Sequence, residues 1–307
     1  MKNNMTRLLA LMMAIAIIFS LGACGKKDGE TTTGGETTTL DGETTTNDEA
    51  TTAEETTTVV DETTMVGEIT TAVAVTEAGK PTTPAEILAA YTDVMNYAKT
   101  AKPAYNKKEF QSLPGEDQHM EGKVIGAILP VAETFMTKEK DAAVEDNKAG
   151  SDMKWFPVAK ATKGCLLTDA GAIKSAKCDE LANGNYKITI VLKDEKNPEP
   201  YKEGQAKASS NTGNMFQPLS RAEIDDTILN DNTVKNLVKN VKYDLRYYNC
   251  IAVLEYNPKT KQIVSLDQNM SVFIDIQDGI VDLKIVKPTL KGTAILYNTM
   301  KCWNFKY

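Results

Sequence analysis

Hydrophobic residues recur with two different periods after residue 83, and each period predicts one type of secondary structure. Thr83, Pro84 and Glu86 supply an N-cap, a first helical residue and a capping box. The apolar residues that follow at helical spacing are Ile87, Leu88, Tyr91, Val94, Met95 and Ala98. The pattern predicts an amphipathic helix that begins at Pro84 and ends before Pro103.

Two further segments carry helical signals. The apolar run 124–136 predicts a second helix, which its glycine and proline residues would weaken or kink. Ser220 and Glu223 form another capping box. The spacing after it predicts helix to about Asn240, with a break around 230–232.

From residue 173 the period changes to two, which predicts strands. Alternate residues between Tyr186 and Leu192 are apolar, and Asn183-Gly184 before them is a hairpin turn signal. This strand therefore pairs with the segment around Ala176 and Cys178, in a register that the pattern leaves open.

The long strand that follows has the clearest alternation. One of its faces carries Val264, Leu266, Met270, Val272, Ile274 and Ile276. Asp278-Gly279 is a two-residue turn signal, and a turn there would pair Ile276 with Val281, Ile274 with Leu283 and Val272 with Ile285. Turn chemistry and binary pattern thus select the same hairpin register.

The remaining C-terminal segments complete a sheet. Residues 250–256 lead through the loop 257–261 into the long strand, and residues 293–307 carry apolar groups on both faces, which is typical of a central strand. We expect Trp303 in this last strand to serve core packing. The predicted fold class is α+β, an antiparallel β-meander sheet with amphipathic helices packed on one side, over residues 83–307.

Residues 1–23 have the order of a secretory signal peptide: a basic start, an apolar run from Leu8 to Leu21 and small residues after it. The run would span about 21 Å as a helix, less than the hydrocarbon core of about 30 Å, so we expect cleavage and not a permanent span. Leu21-Gly22-Ala23-Cys24 resembles the lipobox of bacterial lipoproteins. The resemblance implies cleavage before Cys24 and a diacylglyceryl group, carrying palmitate-type chains, on its sulfur. The alternative is an ordinary signal with a chance cysteine.

Residues 24–82 form the most acidic region. Residues 25–80 hold 13 acidic residues against three lysines, and 19 of these 56 residues are threonine, in repeats such as Gly29-Glu30-Thr31-Thr32-Thr33. So little apolar area and so many like charges predict a disordered linker. The arrangement resembles that of Gram-positive surface lipoproteins of clostridial type. The resemblance implies an extracytoplasmic location on the outer face of the cell membrane, with the lipid bilayer as a partner through acylated Cys24.

Charge and histidine content exclude several classes of function. The whole chain has a formal charge of -7 and one histidine. An acidic chain has no general attraction for nucleic acid, and one histidine cannot build a multi-histidine metal centre. We therefore expect no nucleic-acid partner, no metal and no cofactor.

Four cysteines remain beyond Cys24, namely Cys165, Cys178, Cys250 and Cys302. An even number in an exported chain predicts two disulfides, with three pairings that the sequence does not distinguish. The alternative is four buried free thiols. No Cys-x-x-Cys motif is present to indicate redox or zinc chemistry.

Candidate catalytic motifs are few. Ser151 and Lys154 match the Ser-x-x-Lys element of penicillin-interacting enzymes, but the companion Ser-Asp-Asn and Lys-Thr-Gly elements are absent from the sequence. His119 lies in a polar stretch that predicts a solvated loop, and Asp225-Asp226 fits a helix surface. We predict no catalytic residue, although a diffuse active site would escape such a search.

The leading functional hypothesis is a non-catalytic binding module for an apolar ligand, a cell-wall polymer or a surface protein. One alternative is a cell-envelope hydrolase with an unrecognised active site. The other is a structural protein of surface assembly.

Overall fold

The computed structural model describes residues 79–121, 136–231, 234–282, 287 and 289–307. Its helices are α1 (Pro84–Ala101), α2 (Arg221–Asn230) and the single turn α3 (Val234–Leu237). Thr83 caps α1 through a complete capping box with Glu86. The predicted start and all six predicted buried residues of this helix are confirmed.

Nine strands form a single antiparallel sheet in the described part of the chain. They are β1 (Ala104–Ser112), β2 (His119–Met120), β3 (Glu145–Asn147), β4 (Ile173–Glu180), β5 (Tyr186–Leu192), β6 (Glu195–Lys196), β7 (Val238–Tyr256), β8 (Ile263–Val281) and β9 (Gly292–Lys306). Their order is β3-β1-β9-β8-β7-β5-β4, so β3 and β4 lie at the two ends; β2 pairs with β9 and β6 with β7.

The predicted antiparallel meander is confirmed. Strands β4, β5, β7, β8 and β9 are successive neighbours, and β9 lies between β8 and β1, as expected of a central strand. The Asn183-Gly184 turn joins β4 to β5 and sets the register in which Cys178 pairs with Ile188. Gly184 has a φ of 79°, a conformation that glycine adopts without steric cost.

The hairpin predicted at Asp278-Gly279 is wrong. Strand β8 continues through both residues to Val281, and its Ile276 pairs with Gly292 of β9. Asp278 pairs with Lys242 of β7, so the long partner strand extends β8 beyond the local turn signal. Of the predicted partners, Val281 belongs to β8 itself, while residues 283 and 285 lie outside the described residues.

The helix predicted from Ser220 to about Asn240 is shorter in the structure. Helix α2 ends at Asn230, and Val238 already begins β7. Ser220 caps α2 by accepting from the backbone N–H of Glu223 at 3.2 Å. The carboxylate of Glu199 joins this cap, because it accepts from the Ser220 hydroxyl and from the Arg221 N–H, each at 3.0 Å.

One face of the sheet, here called the inner face, is buried in the hydrophobic core. Its side chains form rows across the strands; one row consists of Cys178, Ile188, Leu254, Leu266 and Cys302. The buried residues of α1 belong to the same hydrophobic cluster. A β-bulge places Asn249 and Cys250 of β7 opposite Met270 alone, and Asn249 has a φ of 47°.

Several predictions lie outside the described residues. These are the signal peptide, Cys24, the acidic linker and residues 124–135 of the predicted second helix. Among the described helices, none has the length and apolar character that crossing a bilayer requires.

Candidate functional site

A solvent-open cleft lies on the inner face of the sheet, where β1, β9 and β8 are adjacent. Its floor is formed by side chains that share neighbouring rows: Glu109, Met300, Gln268, Asn298 and Met270. The space amounts to about 350 Å³ when counted to its mouth. Most of that space is open solvent, because the enclosed part amounts to only about 30 Å³; the cleft is therefore a shallow depression.

Two irregular segments supply the walls. Trp155 and Pro157 come from the long connection between β3 and β4, and Gln217 comes from the segment before α2. Trp155 is 46% exposed, although it is one of the largest apolar side chains in the molecule. An exposed indole at the mouth of a cleft is available to contact a ligand.

The wall that carries Trp155 is held by a buried lysine of α1. Lys99 is 7% exposed, and its ammonium group donates to the carbonyl oxygens of Met153, Val158 and Ala161 at 2.7, 3.2 and 3.1 Å. Burial lowers the pKa of Lys99 to about 8, so the group is charged at neutral pH. Three acceptors match the three N–H donors of an ammonium group, and they fix the backbone on both sides of Trp155.

Further contacts tie the same segment to α1 and β9. Asn96 accepts from the backbone N–H groups of Gly164 and Cys165 at 2.8 and 3.2 Å. A Cβ on Gly164 would lie 2.3 Å from the carbonyl oxygen of Met95, so the approach requires glycine here. Phe156, which is fully buried, makes an edge contact with Phe305.

The opposite wall is also anchored on both sides of its cleft residue. Before Gln217, the carbonyl oxygen of Met215 accepts from the Gln268 amide at 3.1 Å. After it, the N–H of Leu219 donates to the hydroxyl of Tyr247 at 2.8 Å. Both walls are therefore fixed by buried polar contacts, which is the condition for a preformed binding site.

The cleft contains polar groups whose hydrogen-bonding capacity is not used within the described part of the protein. The NH₂ group of Gln268 donates to Tyr91 and to the Met215 carbonyl, which leaves its amide oxygen without a protein partner there. The side-chain amides of Gln217 and Asn298 make no hydrogen bond with another described residue. Gln268 is only 6% exposed, so its oxygen is an acceptor that a ligand could satisfy at the floor of the cleft.

The charge of the cleft is close to neutral. Its single ionisable lining residue, among those described, is Glu109. The ammonium group of Lys107, a residue that is 4% exposed, lies 3.1 Å from Glu109 and 3.7 Å from Glu145. The carboxylate at the cleft is therefore paired with a buried cation that it shares with Glu145.

The predicted disulfides are absent from the structure. Cys165, Cys178, Cys250 and Cys302 are free and buried. Three strands separate Cys178 from Cys302 in the same row of the inner face, a distance that no disulfide can bridge. All four cysteine side chains pack in the hydrophobic core as small apolar groups. Burial raises the pKa of each thiol above its ordinary value.

The other residues singled out in the sequence are not brought together. The Ser151 hydroxyl donates to the carbonyl of Lys148, while Lys154 contacts Glu203 at 4.0 Å, so they form no reactive pair. His119 is exposed on β2. The described residues contain no group of His, Cys, Asp or Glu side chains arranged to hold a metal ion.

Asp225 and Trp303 also lie outside the cleft. Asp225 accepts from the hydroxyl of Tyr243 at 2.7 Å and pairs with Arg221 within α2. The prediction that Trp303 serves core packing is wrong, because Trp303 is half-buried on the face of β9 opposite to Met300 and does not belong to the hydrophobic core. Trp303 therefore does not line the cleft.

The cleft residues were not recognised in the sequence, although two signals were present. Met153, Trp155, Phe156 and Val158 make a short apolar group inside an otherwise polar connection. Lys99 falls on the apolar stripe of α1, one turn after Met95. A lysine at such a position requires buried acceptors, and those acceptors are the carbonyls of the apolar group.

Comparison with protein-family models, with curated proteins and with solved structures finds no match to this chain.

Proposed function

We propose that this chain is a membrane-anchored extracytoplasmic lipoprotein whose folded region is a non-catalytic binding module. The carrying observation is the cleft, with an exposed indole and side-chain amides around a floor of two methionines. Preformed walls and unused hydrogen-bonding groups support ligand binding.

The lining favours binding over hydrolysis. Glycoside hydrolysis commonly needs two carboxylates on either side of the bond, and acyl transfer needs an activated nucleophile. Glu109 is the single carboxylate among the described lining residues, and it is paired with Lys107, which also contacts Glu145. No Ser, Cys or His belongs to that lining.

The proposal includes the finer arrangement of the fold. Helices α1 and α2 cover the inner face of the sheet, which places the walls of the cleft on the same side. Support comes from the core cluster, which contains Tyr91 and Met95 of α1, Ile224 of α2 and the inner-face rows. The bond between Tyr91 and Gln268 joins α1 to β8.

The anchor is supported by the lipobox-like Leu21-Gly22-Ala23-Cys24. Labelled fatty acid should be incorporated into the wild-type protein and not into Cys24→Ala. Equal labelling of both proteins would contradict the anchor and the location at the outer face of the membrane.

Retention on cell-wall fragments tests the binding module. We expect full-length protein in phosphatidylcholine vesicles to co-sediment with the fragments and Trp155→Ala to lose this retention. Tyr97→Ala is the matched control, since Tyr97 is also an exposed aromatic residue but does not line the cleft. If wild-type and Trp155→Ala proteins sediment alike, the cleft is not the binding site.

A further inference from the structure

We infer that the cleft binds the sugar rings of a neutral glycan, an inference that rests on the proposed binding function and specifies its ligand. The inference comes from the chemistry of the lining. A sugar ring carries several hydroxyl groups, which can hydrogen-bond to the polar side chains of the cleft. Its C–H groups can contact the apolar side chains.

The apolar contact is supplied by the exposed wall and by the floor. The indole of Trp155 offers a flat, partly exposed apolar surface, and Met270 and Met300 add apolar area on the sheet side of the cleft. The C–H face of a sugar ring is flat enough to lie against an indole, and thioether side chains adapt to irregular shapes. Lys160 lies 6.0 Å from the Trp155 ring centroid, and Trp155 remains 46% exposed.

The polar contacts match hydroxyl groups in particular. A side-chain amide both donates and accepts, as does a hydroxyl group, and Gln217 and Asn298 have both functions free of other described residues. The amide oxygen of Gln268 and the carboxylate of Glu109 add acceptors at the floor. An acyl chain would cover these groups without bonding to them, which opposes an apolar ligand.

Charge opposes ionic ligands. No lysine or arginine is among the described lining residues, so the lining itself offers a phosphate polymer no cation and places Glu109 against it. A cationic ligand would compete with Lys107, which already lies 3.1 Å from that carboxylate. A neutral ligand is neither repelled by Glu109 nor required to displace Lys107 from it.

The two tryptophans of the chain allow a direct test. In full-length Trp303→Phe protein in phosphatidylcholine vesicles, Trp155 is the only tryptophan. We expect its emission to shift to shorter wavelength and saturate with chitotetraose or cellotetraose. The Trp155→Phe protein, which keeps Trp303 on the opposite sheet face, should show no change with either probe.

Substitutions in the floor and wall locate the contact. Asn298→Ala and Gln217→Ala should each weaken glycan binding by about three- to tenfold, the effect of losing one or two neutral hydrogen bonds. Unchanged affinity in both variants would overturn the inference.

The peptide tetra-alanine distinguishes ligand class from binding function. A Trp155 response to tetra-alanine and to neither glycan overturns the glycan inference and leaves a binding cleft. No response to any of these probes also overturns the glycan inference, while retention on cell-wall fragments decides the binding function separately.

Discussion

Replacing Lys99 by methionine tests how the cleft wall is held. The variant keeps a side chain of similar length and apolar character, but it removes the ammonium group that bonds three carbonyl oxygens. The backbone around Trp155 then loses its anchor on both sides. We expect lower stability and a displaced cleft wall.

The magnitude follows from two opposing effects. A buried carbonyl without a donor costs about 1–3 kcal/mol, so three of them cost about 6 kcal/mol at the centre of that range. Removing the charge relieves its burial cost, which the lowering of the Lys99 pKa from 10.5 to about 8 sets at about 3 kcal/mol. Lys99→Met should therefore lower the free energy of unfolding by about 3 kcal/mol.

Urea denaturation followed by circular dichroism measures this loss. Lys177→Met is the matched control, because Lys177 is exposed and pairs only with Asp179 on the surface; it should change stability by less than about 0.5 kcal/mol. In the Trp303→Phe background, Lys99→Met should also shift the emission of Trp155. If Lys99→Met is as stable as the wild type, the three carbonyl contacts do not hold the wall.

Three further outcomes are expected. In Cys24→Ser protein, a thiol reagent should label none of the four remaining cysteines in the native state and all four after denaturation, since each is free and buried; two disulfides would give no labelling in either state. Burial raises the pKa of Cys250 from 9.0 to about 12, so the folded state keeps this proton longer and stability should fall as pH rises from about 9 to 12. Urea denaturation across that range should give a shallower decline for Cys250→Ala, and equal slopes would oppose this assignment. Glu199→Ala should lower the unfolding free energy by about 1–2 kcal/mol because α2 loses two capping contacts, whereas Glu203→Ala, at an exposed position, should leave thermal denaturation unchanged.

Local signals in the sequence predicted much of the fold. The capping box at Thr83 and the apolar spacing of α1 sufficed for that helix, and Asn183-Gly184 sufficed for the β4–β5 hairpin. The turn signal at Asp278-Gly279 failed because β7 pairs with β8 beyond that point. Pairing with β7 therefore outweighed the turn preference of Asp278-Gly279. The sequence pattern did not reveal this partner, because the first residues of β7 were predicted to be helical.

The cleft was less predictable because its residues come from five separate parts of the chain. Glu109, Gln268 and Asn298 become neighbours only through the register of three strands. Glutamine and asparagine in strands give no pattern that distinguishes a ligand contact from a solvated face. The free cysteines illustrate a related difficulty, since their even count predicts disulfides while the fold leaves all four buried as free thiols.

The two terminal strands of the sheet limit how copies of this protein associate. At one end, β3 has only three residues, Glu145–Asn147, two of which are acidic. At the other end, β4 carries Lys174, Lys177, Asp179 and Glu180 within eight residues. A neighbouring molecule would find a very short edge at β3 and charged side chains along both borders. Pairing of neighbouring copies into a continuous intermolecular sheet is therefore disfavoured at both borders.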